Sequence, residues 1–459
     1  MKDHKQRLGS EKISSLLWKM ALPTVAAQLI NMLYNMVDRI YIGHMAVDGD
    51  LALTGVGICL PVILFISAFA YLISAGGAPR ASIAMGRGDT KASEKIMGGC
   101  LTLQVVTSLG LTAILLLWNR DLLLAFGGSE NTIEYTVAYM NIYAVGTLFV
   151  QLTLGMNAYI TAQGFAKTSM YTVLIGAVCN IILDPILIFG LDMGVRGAAL
   201  ATVISQGISC GWVMAFLFGK KTIWRVRKEY LQLDWKLLAP CLALGLSPFI
   251  MQSSESVVFV CFNASLLKYG GDVAVGAMTI LTSVMQFALL PLQGLGQGAQ
   301  PITSFNYGAG NVQRVKETVF LLLKVSVAYA FVLWLLVLLF PELFAAMFTP
   351  DPELLAFASR VLPVYCGAIV IFGIQTACQL TFVALGYAGS SILVAVVRKF
   401  VLLLPLIYLM PQLVENQTLG VYMAEPVADV MAVIFTVVLF SARFRKALNA
   451  MNHPKKGSV

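Results

Sequence analysis

The chain has 459 residues, of which 58% are hydrophobic and only 12% charged. A soluble protein carries roughly a quarter charged residues, so this composition excludes an ordinary soluble enzyme or binding domain. The net charge of +8 would suit nucleic acid, but the bases collect in the gaps on alternate sides of apolar segments, which points to a membrane instead.

Apolar segments long enough to cross a bilayer, about 20 residues each, are expected at 14–42, 52–78, 95–118, 135–158, 165–190, 194–218, 237–263, 273–304, 316–341, 354–380, 390–411 and 419–441. The tail MKDHKQRLGSEKI before the first is polar and basic without a signal-peptide cleavage pattern, so that span is expected to remain in the mature protein. With the N-terminus inside, the inner segments hold 22 Lys and Arg and the outer loops three, Arg120, Arg196 and Lys268. This asymmetry predicts cytoplasmic N- and C-termini in a multi-pass protein of the cytoplasmic (inner) membrane. The expected fold is an all-α polytopic bundle of 12 transmembrane helices. Its parts are an N-terminal lobe (1–218), a basic cytoplasmic linker (219–236) at the anionic leaflet, and a C-terminal lobe (237–459).

The two lobes repeat. A shift of 222 residues lays Pro79 on Pro301, Gly86 on Gly308, Gly88 on Gly310, Tyr143 on Tyr365 and Gly164 on Gly386. A shift of 225 lays Pro23 on Pro248 and Asp38 on Asn263. Six spans per half give both halves one orientation, so the lobes are parallel and related by a pseudo-twofold axis along the membrane normal. That is a transporter architecture, with the substrate site between the halves.

Polar residues inside the spans are the candidate sites, because a carboxylate at bilayer depth costs about 2.5–3.5 kcal/mol on insertion scales. In span 1, Gln28, Asn31, Asn35 and Asp38 form one stripe. In span 5, the run CNIILDPILIF places Asn180 one turn before Asp184, and Pro185 frees the carbonyl of Ile181. The carboxylate, amide and freed carbonyl form a candidate cation-binding corner, with Tyr139 and Asn157 in span 4 and Thr202 in span 6 as further polar groups. The plainer readings are Asp184 satisfied by the Arg196 loop, Asp38 paired with Arg39, and the amides as interhelical hydrogen bonds. The counterparts of Asp38 and Asp184 in the second half are Asn263 and about Leu406, which assigns this acid pair to the first half. In span 7, Gln252, Glu255 and Phe259 share a face, and Glu255 is a candidate for a cationic substrate or a second ion. Glu425 and Asp429 lie one turn apart nearer the outer end of span 12, where an interfacial role and a functional one both stand open. Met32, Tyr34, Met36, Met251, Met285 and Phe287 are candidates for an adaptable pocket, against simple packing.

The eight cysteines sit in apolar segments without a CxxC pair, and His4, His44 and His453 lie in loops or tails. Neither a metal site nor a disulfide framework is expected, and no cofactor. An enzyme is not expected either. No loop accommodates a catalytic domain, and the repeated Gly86/Gly88 and Gly308/Gly310 read as tight turns rather than phosphate loops.

The segments LPTVAAQLINMLYNMVDRIYIG, NIILDPILIFGLDMGVRGAALATVISQ and GQGAQPITSFNYGAGN resemble the MATE family of multidrug and toxic-compound extruders, over nearly the whole chain. QSSESVV and AEPVADV are similar to the multidrug-pump branch of Gram-positive bacteria. The resemblance implies a V-shaped pair of six-helix lobes and antiport of H⁺ or Na⁺ against lipophilic, often cationic drugs. It implies ion-coupling roles for Asp38, Asn180, Asp184 and Thr202, with Tyr139 and Asn157, and matches Glu255 to an acid of the sodium-coupled members. Spans 8 and 10 lack the interior acids those members use. A functional monomer in the lipid bilayer is expected, with small organic cations as partners and no nucleic acid. The alternative is a flippase for lipid-linked precursors. It would need a cationic cavity, and the intramembrane bases are Arg39, Lys324, Arg360, Arg398 and Lys399, mostly near span ends.

Overall fold

A computed structural model describes residues 7–45, 49–125, 132–349 and 351–452. His4, His453 and the side chain of Arg39 fall outside the described set. The described residues form helices and turns without strands. This is the outcome hydrocarbon imposes, since a helix satisfies its backbone groups internally.

The first bundle comprises α1 (Ile13–Gly43), α2 (Gly49–Gly86), α3 (Thr90–Ala125), α4 (Ile133–Ala162), α5 (Ala166–Pro185) and α6 (Gly194–Phe218). A continuous 74-residue helical path, Trp235–Gly308, follows and is broken at Gly271, where φ is 68° and ψ −164°. At 1.5 Å per residue such a path far exceeds a bilayer, so the break marks two crossings. They are α7 (235–270) and α8 (272–308). Next come α9 (Val312–Leu339), α10 (Pro352–Tyr365 and Ile369–Ala384, bent by 55°), α11 (Ala388–Leu413) and α12 (Gln417–Asn452). Among the described residues, ten helices are long and apolar enough to cross a membrane. Counting the broken path as two and the bent pair as one gives twelve crossings. The helices overrun the apolar windows at several polar ends because the backbone ladder continues where hydropathy stops. The bend in α10 follows Pro363, which cannot donate to Ser359.

The repeat is visible in the backbone. Gly88 and Gly310 have φ of 88° and 72°, and Gly164 and Gly386 have 92° and 78°. Each pair ends a helix in the left-handed region that glycine enters without strain.

The bundles are clasped at the end that carries both chain termini. A Cβ on Gly86 would lie 2.1 Å from the Phe305 carbonyl, and one on Gly308 would lie 2.0 Å from the Ile83 carbonyl, so α2 and α8 cross backbone to backbone. The same reciprocity relates Gly76 to the Cys241 carbonyl and Gly245 to the Leu72 carbonyl, both at 1.8 Å, where α2 meets α7. Thr24 donates to the Gly294 carbonyl at 2.6 Å, and Gln28 to Gln297 at 3.0 Å. A helical turn before α1 is captured as well. Arg314 donates to the carbonyls of Leu8 and Glu11, and Asn306 to that of Leu8, whose side chain is buried.

The basic linker is not a loose surface strand. Gln163 Oε1 accepts from the Thr222 hydroxyl and from the Ile223 and Trp224 amides at 2.7–2.9 Å, and Trp224 is fully buried. Glu94 accepts from the Arg225 amide and pairs with Arg227 at 2.9 Å. Thr102 on α3 donates to the Leu231 carbonyl at 3.1 Å. The aromatic and amide content of this segment outweighs its charge, and it folds onto the first bundle.

Gly76→Val should force α2 from α7 and cost about 1–3 kcal/mol as overpacking. The expected result is a lower thermal midpoint in detergent and faster thiol labelling of Cys241, which is 1% exposed in the native packing.

Candidate functional site

The first bundle builds its polar centre around Asp184, which is fully buried one residue before the end of α5. Pro185 has no N–H for the carbonyl one turn back, and the helix widens into a π-turn over Ile186–Gly190 rather than breaking. Asn180, one turn earlier, donates to Asp184 Oδ1 at 3.3 Å and reaches Thr202 Oγ1 at 3.5 Å. Thr202 donates to the Ala198 carbonyl at 3.0 Å, and the buried Tyr139 lies alongside it. From α1, Asp38 places its carboxyl group side by side with that of Asp184.

Two carboxylates in contact repel unless a proton or a metal cation sits between them, and low-dielectric surroundings sharpen the repulsion. Beside the pair is a cavity of about 40 Å³ lined by Asn31, Tyr34, Asn180, Thr202, Ser205 and Gln206, among others. Asn180 Oδ1, Asp184 Oδ2, Ser205 Oγ and Gln206 Oε1 are buried oxygens that make no hydrogen bond within the protein. Asn180, Ser205 and Gln206 line the cavity among mostly apolar surface, and a space of that size accommodates a water molecule. Tyr34 and Gln206, which both line this cavity, were not among the candidate ion ligands. Tyr34 falls one turn before Asp38, and that spacing was the available signal.

The remaining stripe residues take other places. Asn157 stands apart from the acid pair, because its Nδ2 donates to the Ser169 carbonyl at 3.2 Å and pins α4 to the start of α5. Gln28 serves the clasp between bundles. Asn35 is exposed and donates to the Asn31 carbonyl at 2.7 Å. Met285 belongs to the packed core of the second bundle, 3.7 Å from the Cys366 sulfur.

The second bundle holds a charged cluster. Arg398 Nε donates to Asp429 at 2.8 Å and its Nη2 to Glu425 at 3.1 Å, with all three side chains buried. Its guanidinium stacks 4.6 Å from the Phe372 ring centre. Lys399, 4% exposed, pairs with Glu255 at 2.7 Å, while the Glu255 side chain is 58% exposed. Glu425 and Asp429 are therefore interior partners of Arg398 rather than interfacial groups, and Arg398 and Lys399 are buried rather than placed near a span end. The acids of the second half do not fall at the positions the repeat gives. Consecutive residues on an α-helix point about 100° apart. The π-turn over Val397–Leu403 changes that geometry, and both bases end up inside.

Arg398→Met should strand two buried carboxyl groups and cost about 3–5 kcal/mol, seen as loss of folded protein from the membrane. Arg398→Met with Glu425→Gln and Asp429→Asn, which leaves no charge unpaired, should recover much of it.

Known proteins agree with this architecture. A family model described as MatE matches residues 23–186 and 248–409, one stretch in each bundle. The multidrug export protein MepA of Staphylococcus haemolyticus is 26% identical over 394 residues, covering 86% of each chain. A FAD transporter of Shewanella oneidensis is 25% identical over 419 residues, covering 88% of this chain and 90% of its own. The probable multidrug resistance protein YoeA of Bacillus subtilis is 24% identical, covering 92% and 93%. Among solved structures, a MATE transporter in a bent conformation superposes with a TM-score of 0.92 at 20% identity, over 98% of this chain and 99% of that one. One described as the outward-facing conformation of a multidrug resistance MATE transporter gives 0.90 at 20% identity, over 98% of each. The helices, the two matched halves and the polar centre within the first of them lead to one assignment: this chain is a member of the MATE family of multidrug efflux transporters, not an enzyme.

Proposed function

We propose that the protein is a cation-coupled antiporter that exports lipophilic, often cationic compounds from the cytoplasm by alternating access. The supporting observation is the contact between the Asp38 and Asp184 carboxyl groups, with Asn180, Thr202 and Tyr139 around them. Such a pair is stable with one proton or one Na⁺ between its oxygens and strained without it. Gain or loss of that ion changes how tightly α1 is held against α5. A coupling ion drives transport only through such a difference between two conformations. The π-turn after Pro185 gives α5 a point at which to repack.

The present form is clasped at the termini end, which the distribution of bases assigns to the cytoplasm. Substrate then leaves on the opposite, outer side of the inner membrane. Glu255, exposed on α7 with Gln252 nearby, is the counterion for a positively charged substrate in the cleft between bundles. The names of the MepA and YoeA relatives point to drugs as substrates. A lipid-linked pyrophosphate would need available cations, whereas Arg398 and Lys399 are already neutralised by acids. A single chain contains the whole arrangement, which supports a functional monomer.

In proteoliposomes with an imposed pH or Na⁺ gradient, ethidium efflux should follow one gradient, and Asp184→Asn should reduce it by about a hundredfold or to background with protein still in the membrane. Efflux at the wild-type rate from Asp184→Asn at equal protein would overturn the assignment. So would the absence of ethidium movement from the wild type under either gradient.

A further inference from the structure

The second bundle carries charges the coupling reading does not use. Three acids, Glu255, Glu425 and Asp429, meet two bases, Arg398 and Lys399. With all five ionised the group is one negative charge in excess. The pairing is also uneven. Arg398 serves both Glu425 and Asp429 in the interior, while Lys399 serves Glu255 alone. Within that last pair the two partners differ sharply in environment. Lys399 is 4% exposed and Glu255 58%. The ammonium is buried where its carboxylate partner is exposed, and Lys399 directly follows in the chain the Arg398 that holds Glu425 at 3.1 Å.

A cation arriving in the cleft meets Glu255 first and competes with Lys399 for it. Removing one partner of a buried ion pair is normally costly because the other is left alone. Here the released ammonium has a second acceptor, since Glu425 and Asp429 share a single guanidinium. The lysine side chain is a flexible stem with a mobile point charge, whereas the neighbouring guanidinium is fixed by two acids and a ring.

We infer that Lys399 is a tethered competitor for the substrate site: a lipophilic monocation takes Glu255, Lys399 turns inward to Glu425, and its return expels the cation. No bond is made or broken and no proton is transferred in this exchange. It fits a monocation rather than a dication, because the cluster has one negative charge to offer. It makes Lys399 a specificity and release residue, and it rests on the reading of Glu255 as the counterion of the substrate.

The test is ethidium binding to detergent-purified protein by fluorescence polarisation, together with the KM and kcat of efflux. Lys399→Gln should bind ethidium about tenfold more tightly. Its KM and kcat should fall together, since the departing cation no longer meets a competitor. Lys399→Arg should stay near the wild type in binding, and Glu255→Gln should bind weakly. In the Glu255→Gln background, Lys399→Gln should add nothing. An unchanged or weaker affinity in Lys399→Gln overturns the inference, as does a gain that persists without Glu255. If Lys399→Gln does not accumulate, the Glu255→Gln/Lys399→Gln variant, which leaves no lone charge in this pair, decides the matter. Affinity equal to Glu255→Gln supports the exchange, and tighter binding refutes it. A wild type that moves no ethidium under any gradient counts against the antiporter reading itself, whereas the comparison at Lys399 is made on binding.

Discussion

A carboxylate in the hydrocarbon layer must find a partner, and this requirement organises both bundles. A buried acid left alone would cost more than most single contacts in the fold can supply. The first bundle meets the demand by bringing Asp38 and Asp184 together with an amide, a hydroxyl and a phenol beside them. The second meets it with Arg398 and Lys399. A shared ion is exchangeable and a covalently attached base is not. On the proposed coupling role, the duplicated scaffold has diverged into one half that takes up a cation and one that already contains two fixed bases.

Both solutions use the same helical device. In α5 and α11 a π-turn replaces regular α-helix next to the charged residues. A π-turn admits an extra residue per turn and redirects side chains without breaking the backbone ladder, which hydrocarbon would penalise heavily. In α5 a proline supplies the reason. In α11 Pro405, just past the run from Val397 to Leu403, has no N–H for the Val401 carbonyl, and the ladder is disturbed there too.

Much of this was legible in the sequence. Hydropathy marked the spans, and the 222-residue offset anticipated glycines that share a left-handed conformation in the two bundles. The Asn180–Asp184 spacing was readable because it follows helix periodicity within a single segment. What escaped was pairing between segments. Nothing local in AEPVADV says that an arginine 27 residues earlier will face it, and an Arg–Lys dipeptide close to one end of an apolar run reads as interfacial. The role of Asn157 was hidden for the same reason, since a buried amide reveals its partner only once α4 and α5 are docked. The linker's charge hid its packing. Six bases concealed a tryptophan and a backbone segment that Gln163 and Glu94 hold in place.

That linker has a mechanical consequence. Because Thr222 to Leu231 is fastened to the first bundle, the covalent slack before α7 shrinks to a few residues ahead of its Asp234 cap, where Asp234 accepts from the Lys236 amide at 3.0 Å. Under the proposed alternating access, that short joint leaves the second bundle room to tilt but little room to slide. A pivot fixed at one face of a slab acts as a lever. Across a hydrocarbon core about 30 Å thick, a tilt of about 10° moves the far face by roughly 5 Å while the near face barely shifts. On that reading, displacements of ångström scale at the fastened end, such as the loosening of a glycine crossing, are geared up at the other side.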